Sequence, residues 1–219
     1  MHIDTPLPPG AGAQAAGAAP ESASSSPSVV APSGKPVVVA LIGLPGAGKS
    51  VIARALEDQL GLRRVCRDAI RHAMFPKCSY SFAEKRAAFR STLLALEINC
   101  MLGQSSVIDG VTFSRRRDLA RVDSVIGRYK FTPVPIYLDC PPELARQRIA
   151  TDVANDRHLA RDRTPEMVNE VLVRFDTPPP NALVIDASLP AAEMCRVALT
   201  AVAELRGIAL GAPAAANPA

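Results

Sequence analysis

The sequence predicts an α/β fold: a five-stranded parallel sheet with helices on both faces. Two observations carry this. Short apolar runs alternate along the chain with longer segments of helical period. The first of these runs is continuously apolar rather than alternating, the pattern of a strand buried on both faces. There is no internal repeat.

Order begins at Val37 to Ile42, a β-branched run closed by a glycine-rich turn, which predicts the first strand. GKSVIARALEDQLG then places Ile52, Leu56 and Leu60 on one face and stops at Gly61, which predicts a helix. LRRVC is a short second strand. Ser81 and Glu84 have capping-box spacing and open a long helix that closes at Gly103. SSVIDG is a third strand, SRRRDLARVDSVIGR a helix and VPIYLD a fourth strand. PPELARQRIATDV is a helix with proline in its first turn, and TPEMVNEVLVRFD a helix with Thr164 as N-cap and Pro165 at the first position. ALVIDA is a fifth strand, and residues 190–206 form the last amphipathic helix.

Residues 1–34 are mostly Ala, Pro, Ser and Gly, and cannot bury enough surface to offset chain entropy, so a disordered tail is expected there. Residues 208–219 read the same way. Residues 35–207 then form one domain, a body of about 170 residues that can bury a sizeable core. No apolar run reaches the roughly 18 residues of a membrane helix. The first 34 residues hold no Lys or Arg, so no signal or transit peptide is visible and a cytoplasmic protein is expected. Net charge is +4, from 25 basic and 21 acidic groups, which does not demand a nucleic acid partner. The five cysteines are odd in number and hold no CxxC pair, so structural disulfides are not expected. Cys66, His72 and Cys78 lack the clustered spacing of a zinc site and read as ordinary side chains.

Gly43, Gly48, Lys49 and Ser50 complete the pattern G-x-x-x-x-G-K-[ST]. The pattern follows a predicted strand and opens a predicted helix, as a phosphate-binding loop requires. The nucleotide-binding segment is Gly43, Leu44, Pro45, Gly46, Ala47, Gly48, Lys49, Ser50 and Val51. Its backbone N–H groups and the helix N-terminus favour phosphate. Lys49 is expected to bridge the terminal phosphates, and Ser50 to bind Mg²⁺ through its hydroxyl.

VCRDAIR places Asp68 just past the second strand and Arg71 three residues on. Loops at the carboxyl ends of parallel strands converge on the ligand crevice. If Asp68 opens a helix, the two side chains share a face. The carboxylate can then accept a hydroxyl proton while the arginine holds the acceptor. On spacing alone, an N-cap with a surface partner fits equally well.

VALIGLPGAGKSVIARALEDQLGL, CRDAIR, SSVIDGVTFSRRR, IYLDCPPELARQR and RFDTPPPNALVIDA occur in this order. Together they resemble the small P-loop kinases of the AAA_33 type, relatives of the 5′-kinase domain of phage polynucleotide kinase, gluconate kinases, chloramphenicol phosphotransferase and zeta toxins. The resemblance covers about residues 36–188. It implies a P-loop NTPase three-layer sandwich with a nucleoside-kinase-like sheet, ATP as phosphate donor and Mg²⁺. It also implies Asp68 as general base and Arg71 as acceptor grip. Asp109 looks like the acidic strand end that supports Mg²⁺, with Asp139 as competitor. In such sheets the third strand lies beside the first, which favours Asp109. Thr112 and Arg115 fall in the family's acceptor-side loop, where Arg116 and Arg117 are equally open. The family places a lid at about residues 150–164. Of Arg146, Arg148, Arg157, Arg161 and Arg163 there, Arg148 and Arg157 are the expected catalytic arginines. His72 and His158 read as surface histidines.

Three functions compete: a kinase with a hydroxyl acceptor, a P-loop ATPase or GTPase switch, and a regulatory module that only binds ATP. No N-K-x-D guanine motif occurs, and there is no room for a second helical domain of an AAA+ motor. Intact Lys49, Ser50, Asp68 and Asp109 argue against a dead module. The expected acceptor is a hydroxyl-bearing small molecule. A polynucleotide 5′-hydroxyl acceptor would need a basic, aromatic-lined track, and aromatics are only 4% with no Trp.

Overall fold

The computed structural model of the chain describes residues 34–155 and 164–210. The expected tails fall outside these residues, apart from Gly34 and residues 208–210. So do Arg157, His158, Arg161 and Arg163.

Five parallel strands form the sheet: β1 (Val37–Gly43), β2 (Arg63–Cys66), β3 (Ser106–Asp109), β4 (Thr132–Asp139) and β5 (Leu183–Asp186). Their spatial order is β2-β3-β1-β4-β5. The helices are α1 (Lys49–Leu60), α2 (Arg67–Met74), α3 (Phe82–Met101), α4 (Arg116–Ile126), α5 (Pro142–Ala154), α6 (Met167–Leu172) and α7 (Ala191–Arg206). A 3₁₀ turn, Gly127–Tyr129, leads from α4 to β4.

All seven residues of β1 are buried. Successive side chains point to opposite faces, and β1 feeds two cores in turn. Val37, Val39 and Leu41 pack with Ile52 and Leu56 of α1, Ile149 of α5 and Val202 of α7. Val38, Ala40 and Ile42 pack with Leu96 of α3 and Val122 and Ile126 of α4. Each fully buried Leu or Ile contributes about 1.5–3 kcal/mol. The result is helices, sheet, helices: the three layers expected.

The capping box at Ser81 and Glu84 is formed in both directions. Two expectations need correction. The helix expected from Thr164 is confined to the six residues Met167–Leu172, and Pro165 and Glu166 form a turn before it. Thr164 is therefore not its N-cap. Only Val168 and Val171 anchor that helix in the core. Beyond it the chain is drawn away from helical backbone, because the N–H of Asp176 donates to Ser114 O at 2.8 Å. The fourth strand starts two residues before Val134, in spite of Pro133 and Pro135. Thr132 donates its N–H toward the β1 side, to Pro36 O. By alternation Pro133 and Pro135 face the β5 side, and β5 pairs only from Ile136 onward, so their missing N–H groups break no ladder bond.

Candidate active site

The carboxyl ends of β1, β2 and β3 lie together. Register sets Cys66 of β2 beside Asp109 of β3, and Ala40 of β1 beside Ile108. The loop after β1, the first turn of α2 and the end of β3 therefore converge. They line one cavity of about 590 Å³, with Gly46, Gly48, Lys49, Ser50, Val51, Asp68 and Asp109 in its wall.

The phosphate loop has little freedom. At Gly46, φ is +82° and a Cβ would lie 2.5 Å from the Ala145 carbonyl oxygen of α5, so only glycine fits. Gly48, left-handed, is the N-cap of α1. No side chain caps this helix and its own first turn holds no acid, so its N-terminal N–H groups stay available to an anion. Lys49 is 6% exposed, and its Nζ donates to the carbonyls of Gly43 (2.9 Å) and Leu44 (2.6 Å).

Asp109 is 2% exposed. Its Oδ1 accepts from Ser50 Oγ at 2.8 Å and from the Gly110 N–H at 2.7 Å. Arg64 Nη1 lies 3.3 Å from Oδ2. Arg64 also binds Glu57 at 2.7 Å, and that hydrogen bond raises the guanidinium pKa. Cys66 lines the same cavity. Burial pushes its thiol pKa up, and the negative charges of Asp109 and Asp68 add to this.

Asp68 stands in the first turn of α2 and is 5% exposed. Arg71 Nη2 lies 3.1 Å and Arg67 Nη2 3.5 Å from Oδ1. No donor reaches Oδ1 with hydrogen-bond alignment, and the atom is buried beside its two cationic neighbours. The Arg71 guanidinium is itself buried and sits 4.6 Å from the centroid of the Tyr80 ring. On α5, Arg148 lines the cavity with a buried Nη1 that has no hydrogen-bond partner among the described residues.

The cavity thus unites much of the phosphate loop with Lys49, Ser50, Asp68, Asp109 and Arg148. Gly43, Leu44, Pro45 and Ala47 of the expected nucleotide-binding segment do not line it, and neither do Arg71, Thr112, Arg115 and Asp139. Arg71 lies against Asp68 and Tyr80. Thr112 turns its backbone to β1, where its carbonyl accepts from Gly43 N–H at 3.1 Å. Arg115 lines a separate groove beside residues 173–176. Asp139 is exposed at the end of β4 and accepts from Tyr137 Oη at 3.3 Å, whereas its competitor Asp109 lines the cavity. His72 is exposed as expected, and the described residues hold no group of three or more potential metal-ligating His, Cys, Asp or Glu side chains. All five cysteines are free. Sequence reasoning missed Arg54, Arg64, Asp152 and Met194 in the cavity wall. An arginine inside a short strand was the available signal for Arg64.

A parallel sheet in this order, with a glycine-rich loop after its central strand and a Ser–Asp pair at the next strand's end, defines a P-loop nucleotide-binding domain of kinase-like fold. Within that class, the chain belongs to the AAA_33 family (AAA domain), which matches residues 38–178. Solved structures share the fold. A Chloroflexus aurantiacus protein described as a kinase is 22% identical with a TM-score of 0.64, over 80% of this chain and 98% of that one. A gluconokinase from Sinorhizobium meliloti is 16% identical with a TM-score of 0.58, over 78% and 94%. The Mycobacterium tuberculosis APS kinase, solved with AMPPNP and APS, is 18% identical with a TM-score of 0.57, over 77% and 98%. Among curated proteins none matches. No helix among the described residues is long and apolar enough to cross a membrane.

Proposed function

We propose that this chain is an ATP-dependent phosphotransferase that moves the γ-phosphate to a hydroxyl of a small-molecule acceptor. The observation that carries the reading is Asp68. A buried carboxylate shares one cavity with the phosphate loop and lies one strand from the Ser50–Asp109 pair. A nucleotide-binding module has no use for such a group. Structural relatives described as gluconokinase and APS kinase support phosphotransfer to a small molecule.

The donor set fits Mg²⁺. It offers one hydroxyl and one carboxylate, both hard oxygens, and Mg²⁺ takes its remaining ligands from water and phosphate. When bound, Mg²⁺ would neutralise charge on the β- and γ-phosphate oxygens. In the proposed chemistry the phosphate loop and Lys49 hold the triphosphate of ATP. Asp68 accepts the acceptor's hydroxyl proton on its carboxylate. The acceptor oxygen forms its bond to the γ-phosphorus as the bridging oxygen of ADP leaves. Arg148 supplies charge to the transferring group. Arg71, 3.1 Å from the carboxylate, holds Asp68 in orientation. Five free thiols fit a reducing compartment such as the cytoplasm.

The test is an ATP-consumption screen over hydroxylated metabolites and 5′-hydroxyl oligonucleotides, run beside Asp68→Asn and Lys49→Ala. Acceptor-dependent consumption that vanishes in Asp68→Asn supports transfer. Equal consumption in water alone, unaffected by Asp68→Asn, would make the chain a hydrolase.

A further inference from the structure

We propose that the groove between the start of α4 and the segment after α6 binds a phosphate group of the acceptor. This rests on the phosphotransferase reading above and narrows its substrate to a phosphate-bearing hydroxyl compound. The groove measures about 400 Å³ and is lined by Arg115, Arg117, Arg174, Phe175 and Asp176, with Val173 beside them.

Its walls are fixed to one another. The Asp176 N–H donates to Ser114 O at 2.8 Å. In return the Arg116 N–H donates to Asp176 Oδ2 at 2.8 Å, and Arg116 Nε donates to Thr177 O at 3.2 Å. Phe175 is held against Tyr137, with ring centroids 6.1 Å apart. The groove is therefore a built shape.

Its charge is unbalanced. Three guanidinium groups face one carboxylate, and that carboxylate already binds the first N–H of α4. Arg121, one turn further along α4, is paired with Asp118. The side chains of Arg115, Arg117 and Arg174 have no partner among the described residues. An excess of like charges weakens a fold. A phosphate offsets them, and its oxygens match the guanidinium fork.

The groove also lies on the correct edge of the sheet. Residues 110–115 run from Asp109 to Arg115, and Thr112 ties this stretch to Gly43 at the base of the phosphate loop. Groove and cavity thus share the carboxyl edge of the strands. A phosphate seated among the three arginines lets the rest of an acceptor extend toward Asp68.

The phosphate can belong to a small phosphomonoester or to a nucleic acid backbone, and the experiment separates the two. The full chain is first saturated with Mg²⁺ and AMPPNP, so that the phosphate loop is filled. It is then titrated with glycerol phosphate, and with fluorescent 5′-hydroxyl oligothymidylates of two lengths. The expected result is binding that weakens at least about tenfold in the Arg115→Gln/Arg117→Gln/Arg174→Gln variant, since charge-assisted contacts are lost. The single Arg174→Glu variant, at an exposed position, should weaken binding as well. Binding of glycerol phosphate with no gain from oligonucleotide length identifies a small phosphorylated acceptor. Affinity that rises with length and falls steeply with salt identifies a nucleic acid backbone. The proposal is overturned if neither probe binds, or if both bind the triple variant as tightly as the wild type. In that case AMPPNP still binds, and the phosphotransferase reading survives. Failure of the wild type to bind AMPPNP would instead overturn both.

Discussion

Ser50 Oγ donates a hydrogen bond to Asp109 Oδ1 at 2.8 Å, joining the first turn of α1 to the end of β3 across two neighbouring strands. The pair presents two hard oxygens at the mouth of the phosphate loop. Asp109→Asn keeps the shape and removes the charge. We expect the Mg²⁺ concentration for half-maximal ATP turnover to rise about tenfold or more, the value of a charged contact. Mg²⁺ titration of ATPase or kinase activity measures this, and an unchanged midpoint would remove Asp109 from the metal site.

Lys49→Ala removes the ammonium that now donates to Gly43 O and Leu44 O. ATP binding should weaken and turnover should vanish, because nothing else in the loop carries its charge. Calorimetry with Mg²⁺ and AMPPNP, together with a turnover assay, tests it. Wild-type rates in the variant would refute the assignment.

Asp68→Asn should leave ATP affinity near wild type and slow transfer by about 10²–10⁴-fold, the usual value of a general base. The side chain lies at the end of β2, away from the phosphate loop itself. Full activity with the true acceptor would reduce Asp68 to a residue of the helix start.

Arg71→Ala strands a buried carboxylate. Breaking one side of a buried pair costs about 3–5 kcal/mol. Thermal melting should show a large loss, partly restored in Arg71→Ala/Asp68→Asn. An arginine that only gripped substrate would raise KM and leave the melting temperature alone.

Glu84 accepts from the Ser79 N–H, Ser79 Oγ and the Ser81 N–H, and its carboxyl pKa is held down to about 2 from an ordinary 4.5. The ionised form is therefore the stabilising one. Its contribution is complete above pH 4.5 and is lost as pH falls toward 2. Melting curves of wild type and Glu84→Gln should converge over that window. Parallel curves would show that the capping box carries no charge effect.

The sheet and the phosphate loop were legible in the sequence because local rules govern them. A buried strand declares itself by a run such as Val37–Ile42, and a tight loop by glycines at fixed spacing. Asp109 was legible because strand order follows from the resemblance. The fate of Arg71 was not legible. Its partner Tyr80 lies nine residues on, across the end of α2, and no periodicity pairs them. The separate groove that Arg115 lines was hidden for a related reason. The direction of α4 depends on Asp176, sixty residues further along the chain, taking its first N–H. The segment after Thr164 looked helical by cap and period, yet its helix is confined to Met167–Leu172 and its end at Asp176 is tied to Ser114, a partner no local pattern announces.

β1 has hydrogen-bonded neighbours on both sides, whereas β2 forms an edge of the sheet. Amide exchange should therefore be slowest along Val37–Gly43 and faster along Arg63–Cys66. The two halves of the site then ride on parts of unequal permanence. Partial opening at the edge would carry Asp68 away while the triphosphate pocket stays assembled. A molecule caught in that condition would still hold ATP and would have no means of spending it.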